Sequence, residues 1–244
     1  VKKRIWILSS TIVLLIIITL VMYRFFPWPP SAFPKESQLT KRMNGLTVTI
    51  QADKIQAIVE LDATHKLVPF VSTKHTYGLS FWVWNKHEWE LDSIDTEGSP
   101  RIWKMDNNDL AAQYIVWNLK PDDNLKTLDF YLMKDRGYMV SGGAETYMPK
   151  IQMKDTVKVH GQSFGIIKLP EEWVYIMKQT SRVSNRQQPD YFFETADPNI
   201  HIGWQSKDQN GNEYYPETPN HGYSYRIGND DLEVMMPIDN TDLE

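Results

Sequence analysis

The densest set of chemically capable side chains lies in residues 77–97, YGLSFWVWNKHEWELDSIDTE, where three tryptophans and several carboxylates share one short stretch. Glu90, Asp92 and Asp95 are the acids of interest. Two carboxyls about 5–5.5 Å apart can split a glycosidic bond by double displacement, one as nucleophile and the other as acid and base. Only a rigid element holds such a pair. Residues 85–88 read as a four-residue loop between two strands, and that register sets Trp84 against Trp89, Trp82 against Leu91, Val83 against Glu90 and Phe81 against Asp92. Side chains alternate, so Trp82, Trp84, Trp89 and Leu91 share one face, and Leu79, Phe81, Val83, Glu90 and Asp92 the other. The tryptophans would serve either as a stacking platform for sugar rings or as core. Ionised carboxylates avoid cores, so the tryptophan face is expected inside and the acids on a solvated side.

Glu90-Leu91-Asp92 followed by Asp95 resembles the Glu-x-Asp-x-x-Glu strand motif of laminarinase-type β-glucanases, enzymes built on a β-sandwich. The resemblance covers six residues. It implies Glu90 as nucleophile, Asp92 as the orienting acid and Asp95 in place of the acid/base glutamate, one methylene shorter. On a regular strand Asp95 would point to the tryptophan face, so only a β-bulge would bring it round. A solvated strand edge accounts for the same acidic residues.

Other candidates are weaker. Of the histidines, His65, His75, His87, His160, His201 and His221, none forms a close metal-binding pair, and surface positions are expected for most. Residues 106–109 (DNND) and 208–213 (DQNGNE) carry oxygen ligands that suit calcium, but neither has the spaced acidic loop with its distal glutamate. Turn formation accounts for both, and no metal or other cofactor is expected. Ser163 sits in a Gly-x-Ser-x-Gly match, but that elbow joins a strand to a helix, and here β patterning continues on both sides. Tyr214, Tyr215, Tyr223 and Tyr225, interspersed with Asn210, Asn212, Asn220 and Asn229, suit a recognition surface or ordinary hairpin loops.

The elements that must position these residues begin with an anchor. Residues 5–23, bounded by Ile5 and Tyr23, carry no charge and are long enough as a helix to cross a hydrocarbon core of about 30 Å. Lys2, Lys3 and Arg4 precede the run and only Arg24 follows closely, so the N-terminus is expected in the cytoplasm and the rest outside. Trp6, Tyr23 and Trp28 fall where interfacial aromatic anchors belong. A cleaved signal peptide would have a shorter apolar core and a small-x-small site, which this flank lacks, so an uncleaved single-pass anchor is the expectation. Pro27, Pro29, Pro30 and Pro34 then make a stiff, extended stalk.

Behind the stalk, residues 46–51 and 55–61 alternate with a period of two around a turn at 52–54, and short strand-like runs separated by turn signals continue to residue 169. A short helix follows Pro170, with Trp173, Ile176 and Met177 on one face, then a polar loop over 181–188. Strands resume at 191–193 and 199–205, and Asn210-Gly211 is the strongest hairpin turn. The expected organisation is a basic start and transmembrane anchor (1–24), a proline-rich stalk (25–45), a β-sandwich (46–169), a helix and loop (170–189), and C-terminal hairpins with an acidic tail (190–244). The fold class is all-β, an antiparallel sandwich or two small β domains.

Composition sets the outer limits. The 244 residues are 41% hydrophobic and 23% charged, as in a folded domain. Lys2, Lys3, Arg4 and Arg24 are four of the 26 cations; the remaining 22 face 31 acids, leaving the outer part near −9 and nucleic acid excluded as a partner. The absence of cysteine excludes a disulfide framework, thiol catalysis and thiolate metal sites. The expectation is a cell-membrane protein with an extracytoplasmic β domain that binds or assembles with an envelope glycan or protein. The alternatives are a glycan hydrolase using Glu90, Asp92 and Asp95, and a sensory or structural ectodomain of a membrane complex.

Overall fold

The computed structural model describes residues 2–26, 28–106, 109–122, 124–141, 144–159, 161–187, 200–216 and 222–243. The elements begin with α1 (Lys2–Phe25), α2 (Glu36–Asn44), β1 (Ala52–Ile55), β2 (Val59–Glu60), β3 (His65–Ser72), β4 (Tyr77–Asn85) and β5 (Glu88–Asp95). β6 (Arg101–Lys104), β7 (Gln113–Asn118), β8 (Leu125–Lys134), β9 (Gly137–Ser141), β10 (Ala144–Met148), β11 (Ile151–Lys158) and β12 (Phe164–Lys168) follow. The chain ends with α3 (Glu171–Gln187), β13 (Ile200–Asp208), β14 (Ser224–Arg226), β15 (Asp231–Val234) and β16 (Met236–Pro237). Among the described residues the fold is mostly β, with several antiparallel sheets, three helices and no closed barrel.

Three sheets carry the body. The first runs β1-β3-β4-β5-β14 with β2 beside β3, the second β12-β7-β6-β15 and the third β11-β8-β13-β16, while β9 and β10 form a separate ribbon. Leu67, Leu79 and Phe81 of the first sheet meet Trp103 and Val116 of the second. Ile102, Ile115 and Trp117, on the other face of the second sheet, pack with Phe130 and Leu132 of β8, Trp204 of β13 and Trp173 of α3. The second sheet is therefore a middle layer, and both of its faces are apolar because both are covered. A polar clasp joins its end to the first sheet: Asn118 Nδ2 donates to the carbonyls of Gly78 (2.7 Å) and Phe70 (3.2 Å) and to Gln56 Oε1 (2.8 Å).

Some elements differ from expectation. Residues 46–50 alternate in sequence yet form turns, with Val48 exposed, and β1 starts at Ala52, where turn chemistry was expected. β3 carries Pro69 at its centre, a residue that argues against a strand interior. The Pro69 carbonyl accepts from Gln56 N (2.9 Å), so its ring nitrogen faces the same side, into the break between β1 and β2, where no ladder bond is lost. α2, which buries Leu39 and Met43, lies in the segment expected as stalk, and α3 is the helix expected after Pro170 but continues through residues 181–187, expected as a polar loop. The expected strand at 191–193 lies outside the described residues.

α1 is a 24-residue helix. Among the described residues no helix is long and apolar enough to cross a membrane. Residues 11–23 of α1 are apolar apart from two threonines. Those apolar side chains are exposed on every side. The segment after it does not stand free as a stalk: Trp28 N donates to the Lys86 carbonyl (3.0 Å), and the Trp28 and Ser31 carbonyls accept from Trp84 Nε1 (2.8 Å) and Trp89 Nε1 (3.0 Å).

Candidate functional site

The aromatic hairpin adopts the expected register at its tip, with Trp84 against Trp89, Val83 against Glu90 and Trp82 against Leu91. The strands run closer to the turn than expected, leaving only Lys86 and His87 between them, with Lys86 at φ 57°. Trp82, Trp84 and Trp89 are core, covered by α2 and by Phe33, whose ring meets those of Trp89 (5.0 Å) and Trp82 (5.9 Å) edge-on. No face remains on which sugar rings could stack.

Beyond Leu91 the register slips. Phe81 pairs with Ser93 rather than Asp92, so Asp92 is the extra residue of a β-bulge. The bulge brings Asp95 opposite Leu79, onto the same side as Glu90. It does not make a catalytic pair. Glu90 and Asp95 lie across from Val83 and Leu79, four positions apart on β4, which separates them by about 13 Å along the strand. Glu90 is exposed and accepts from Asn85 Nδ2 (2.9 Å).

Asp92 and Asp95 are not on a solvated edge; both are buried, because this face packs against the second sheet. Asp95 accepts from Arg101 Nη2 (2.9 Å) and Gly98 N (2.9 Å), and the same Arg101 nitrogen reaches Glu97 (2.6 Å). Burial pushes the Asp95 carboxyl up to about 6, against the pull of Arg101 and the Gly98 N–H. Its partners make it a buried ion pair that fastens the end of β5 to β6.

Asp92 belongs to a different constellation, assembled from five parts of the chain. Asp62 opens the turn between β2 and β3, and accepts from the backbone N–H of Thr64 (2.7 Å) and His65 (2.8 Å). His65 Nδ1 donates to Asp62 (2.9 Å), and its Nε2 lies 3.7 Å from Asp230 Oδ2. Asp230, in the loop before β15, accepts from Trp103 Nε1 (2.9 Å) and gives its own N–H to Asp92 Oδ1 (3.3 Å). The second oxygen of Asp92 is buried without a hydrogen-bond partner. Gly228 is required here, since a Cβ on it would lie 1.7 Å from Asp92 Oδ1.

Exposure falls inward along this row, from 43% for the Asp62 side chain to 16% for His65 and 9% for Asp230. Burial, then the Asp92 carboxylate, push Asp230 up to about 6, opposed by His65 and the Trp103 N–H. Burial also raises Asp92, against the N–H groups of Asp230 and Asn229. Asp62 is held below the usual range, because its bonds from Thr64 and His65 outweigh its partial burial. The imidazole thus stands between an exposed carboxylate and a buried pair. Asp62, Asp230 and Arg101 were absent from the sequence reading, and His65 was expected only as one of several surface histidines. The available signals were an aspartate inside an apolar strand and an Asn-Asp-Asp turn, both of which also occur on ordinary surfaces.

The remaining candidates do not converge. Tyr214 donates to Asp122, and Tyr215 donates to the Ile238 carbonyl (2.7 Å) with its ring against Trp204 (5.3 Å), both at the third sheet. Tyr223 and Tyr225 stack at 6.1 Å beside the edge of the first sheet, and the Tyr225 hydroxyl meets Thr49 (3.3 Å). The four tyrosines therefore form two pairs and not one surface. Ser163 lies between β11 and β12 and accepts from Gln56 Nε2 (2.7 Å), with no helix after it to make an elbow. Asp208 closes its own turn by accepting from Asn210 N and Asn212 N (both 2.8 Å), and Asp109 caps a short helical turn at Ala111 N (2.9 Å). His160, His221, Asn107, Asn108 and Asn220 lie outside the described residues, and among the described residues no cluster of acids and histidines is placed to hold a metal ion. No family model matches the chain, and neither the curated proteins nor the solved structures contain a match.

Proposed function

We propose that this chain is a single-pass membrane protein whose N-terminal helix holds a β-sandwich-type domain on the extracytoplasmic face, where it binds or assembles with an envelope component. The observation that carries the reading is the condition of α1. Residues 12–18 are consecutive apolar residues covering every side of the helix, and each is 45–57% exposed. Removing a side chain of this kind from water is worth about 1.5–3 kcal/mol, so the run exposes on the order of 10 kcal/mol of unsatisfied burial. A bilayer relieves that on all sides at once; a protein groove would cover one. The uncharged residues 5–23 supply the length, and the basic residues before them the orientation.

Binding is favoured over glycan hydrolysis because Asp95 is committed to Arg101 and Glu90, bonded to Asn85 at the surface, has no second carboxylate beside it. The test is flotation of the full chain with phosphatidylcholine vesicles followed by alkaline carbonate extraction. The expected result is a chain that floats and resists extraction; recovery in the soluble fraction would contradict the anchor.

A further inference from the structure

We infer that the tip of the β4–β5 hairpin, with Tyr23 and Trp28, lies in the lipid headgroup layer, so that the β body is seated on the bilayer surface and not raised from it. This rests on the anchor reading above. Residues 5–23 span about 27 Å as a helix, which places Tyr23 at the outer edge of the hydrocarbon core. Tyr23 is where the hairpin attaches. The His87 ring stacks on the Tyr23 ring with centroids 4.2 Å apart and planes within 2°. His87 Nε2 donates to the Tyr23 carbonyl (2.7 Å), one of the carbonyls that the last turn of a helix leaves without an internal partner. The hairpin therefore caps the anchor.

Five residues on, the Trp28 backbone is bonded to the same tip at Lys86 and to the Trp84 indole, so the chain turns back along the hairpin before entering the domain. Tyr23, Phe26 and Trp28 remain 53–61% exposed, a set of rings at the depth where aromatic side chains favour the interface. Lys86 is flanked by the exposed acids Glu88 and Glu90, so the tip is no basic patch, and its seat depends on the rings rather than on anionic lipid.

The absence of native cysteine allows a direct test. An environment-sensitive fluorophore is attached to Lys86→Cys, and separately to Lys74→Cys at the opposite end of β4, in the full chain reconstituted into phosphatidylcholine vesicles. The Lys86 label should emit at shorter wavelength than the Lys74 label and be quenched by headgroup-nitroxide lipid, with no change on adding anionic lipid. Replacing Tyr23 and Trp28 together by Ala should return its emission toward that of Lys74 while the chain still floats. A chain that floats with an aqueous Lys86 label would overturn the seating alone. A chain that does not float would overturn the anchor and the seating together.

Discussion

At the scale of single residues, the buried carboxylates set the expected response to pH. Asp95 and Asp230 are both pushed up to about 6 from an ordinary 3.8, so the folded chain binds their protons more tightly than the unfolded chain does. Their favourable contribution is complete below 3.8 and is lost as pH rises through about 6, by roughly 3 kcal/mol each. Asp62 and Asp129 are held low and act in the opposite sense, losing stability as pH falls below their ordinary value. The thermal midpoint of the full chain in detergent should therefore be higher near about pH 5 than near about pH 8. Asp230→Asn keeps an acceptor for Trp103, removes the repulsion with Asp92, and should flatten that difference. A midpoint that climbs steadily over the interval would contradict the assignment. Arg101→Ala strands Asp95 without its counter-ion and should cost about 3–5 kcal/mol in a denaturant titration, most of it recovered by adding Asp95→Asn.

The hairpin shows at element scale what a sequence can and cannot carry. Its tip register follows from alternation and turn length, and the tryptophans go to the core as their area demands. The bulge at Asp92 leaves no mark in alternation, because a single extra residue is defined by its partner strand. The same holds for the two-sided burial of the acids: residues 77–97 look half-solvated until a second sheet covers the other face. β3 carries Pro69 where the partner strands leave a break, and residues 46–50 close local turns, Leu46 N on the Met43 carbonyl and Ile50 N on the Thr47 carbonyl, despite their alternation. The N-terminal segment that covers the tryptophans can be tested directly. Phe33→Ala opens the edge-on contacts with Trp82 and Trp89 and should destabilise the domain by about 2 kcal/mol, with a red shift in tryptophan emission. An unchanged spectrum would mean that the segment does not cover the hairpin.

Across the whole molecule, the C-terminal strands close the structure. β13 pairs with β8 in the third sheet, β14 with β5 in the first and β15 with β6 in the second. The composition and turn signals were enough to read a β-rich fold, but such long-range pairings are not local properties of a sequence. Deleting residues 190–244 removes at least one strand from each of the three main sheets and the partner of Asp92, so cooperative unfolding should vanish rather than shift; a sharp transition in the truncated chain would contradict this. The central claim, that an N-terminal anchor displays this body outside the cytoplasm, is tested most directly by single cysteines in an otherwise cysteine-free chain. In intact cells, a membrane-impermeant thiol reagent should label Lys74→Cys at once and Lys3→Cys only after permeabilisation. Labelling of Lys3→Cys but not Lys74→Cys in intact cells, or recovery of the chain in the soluble fraction, would contradict it.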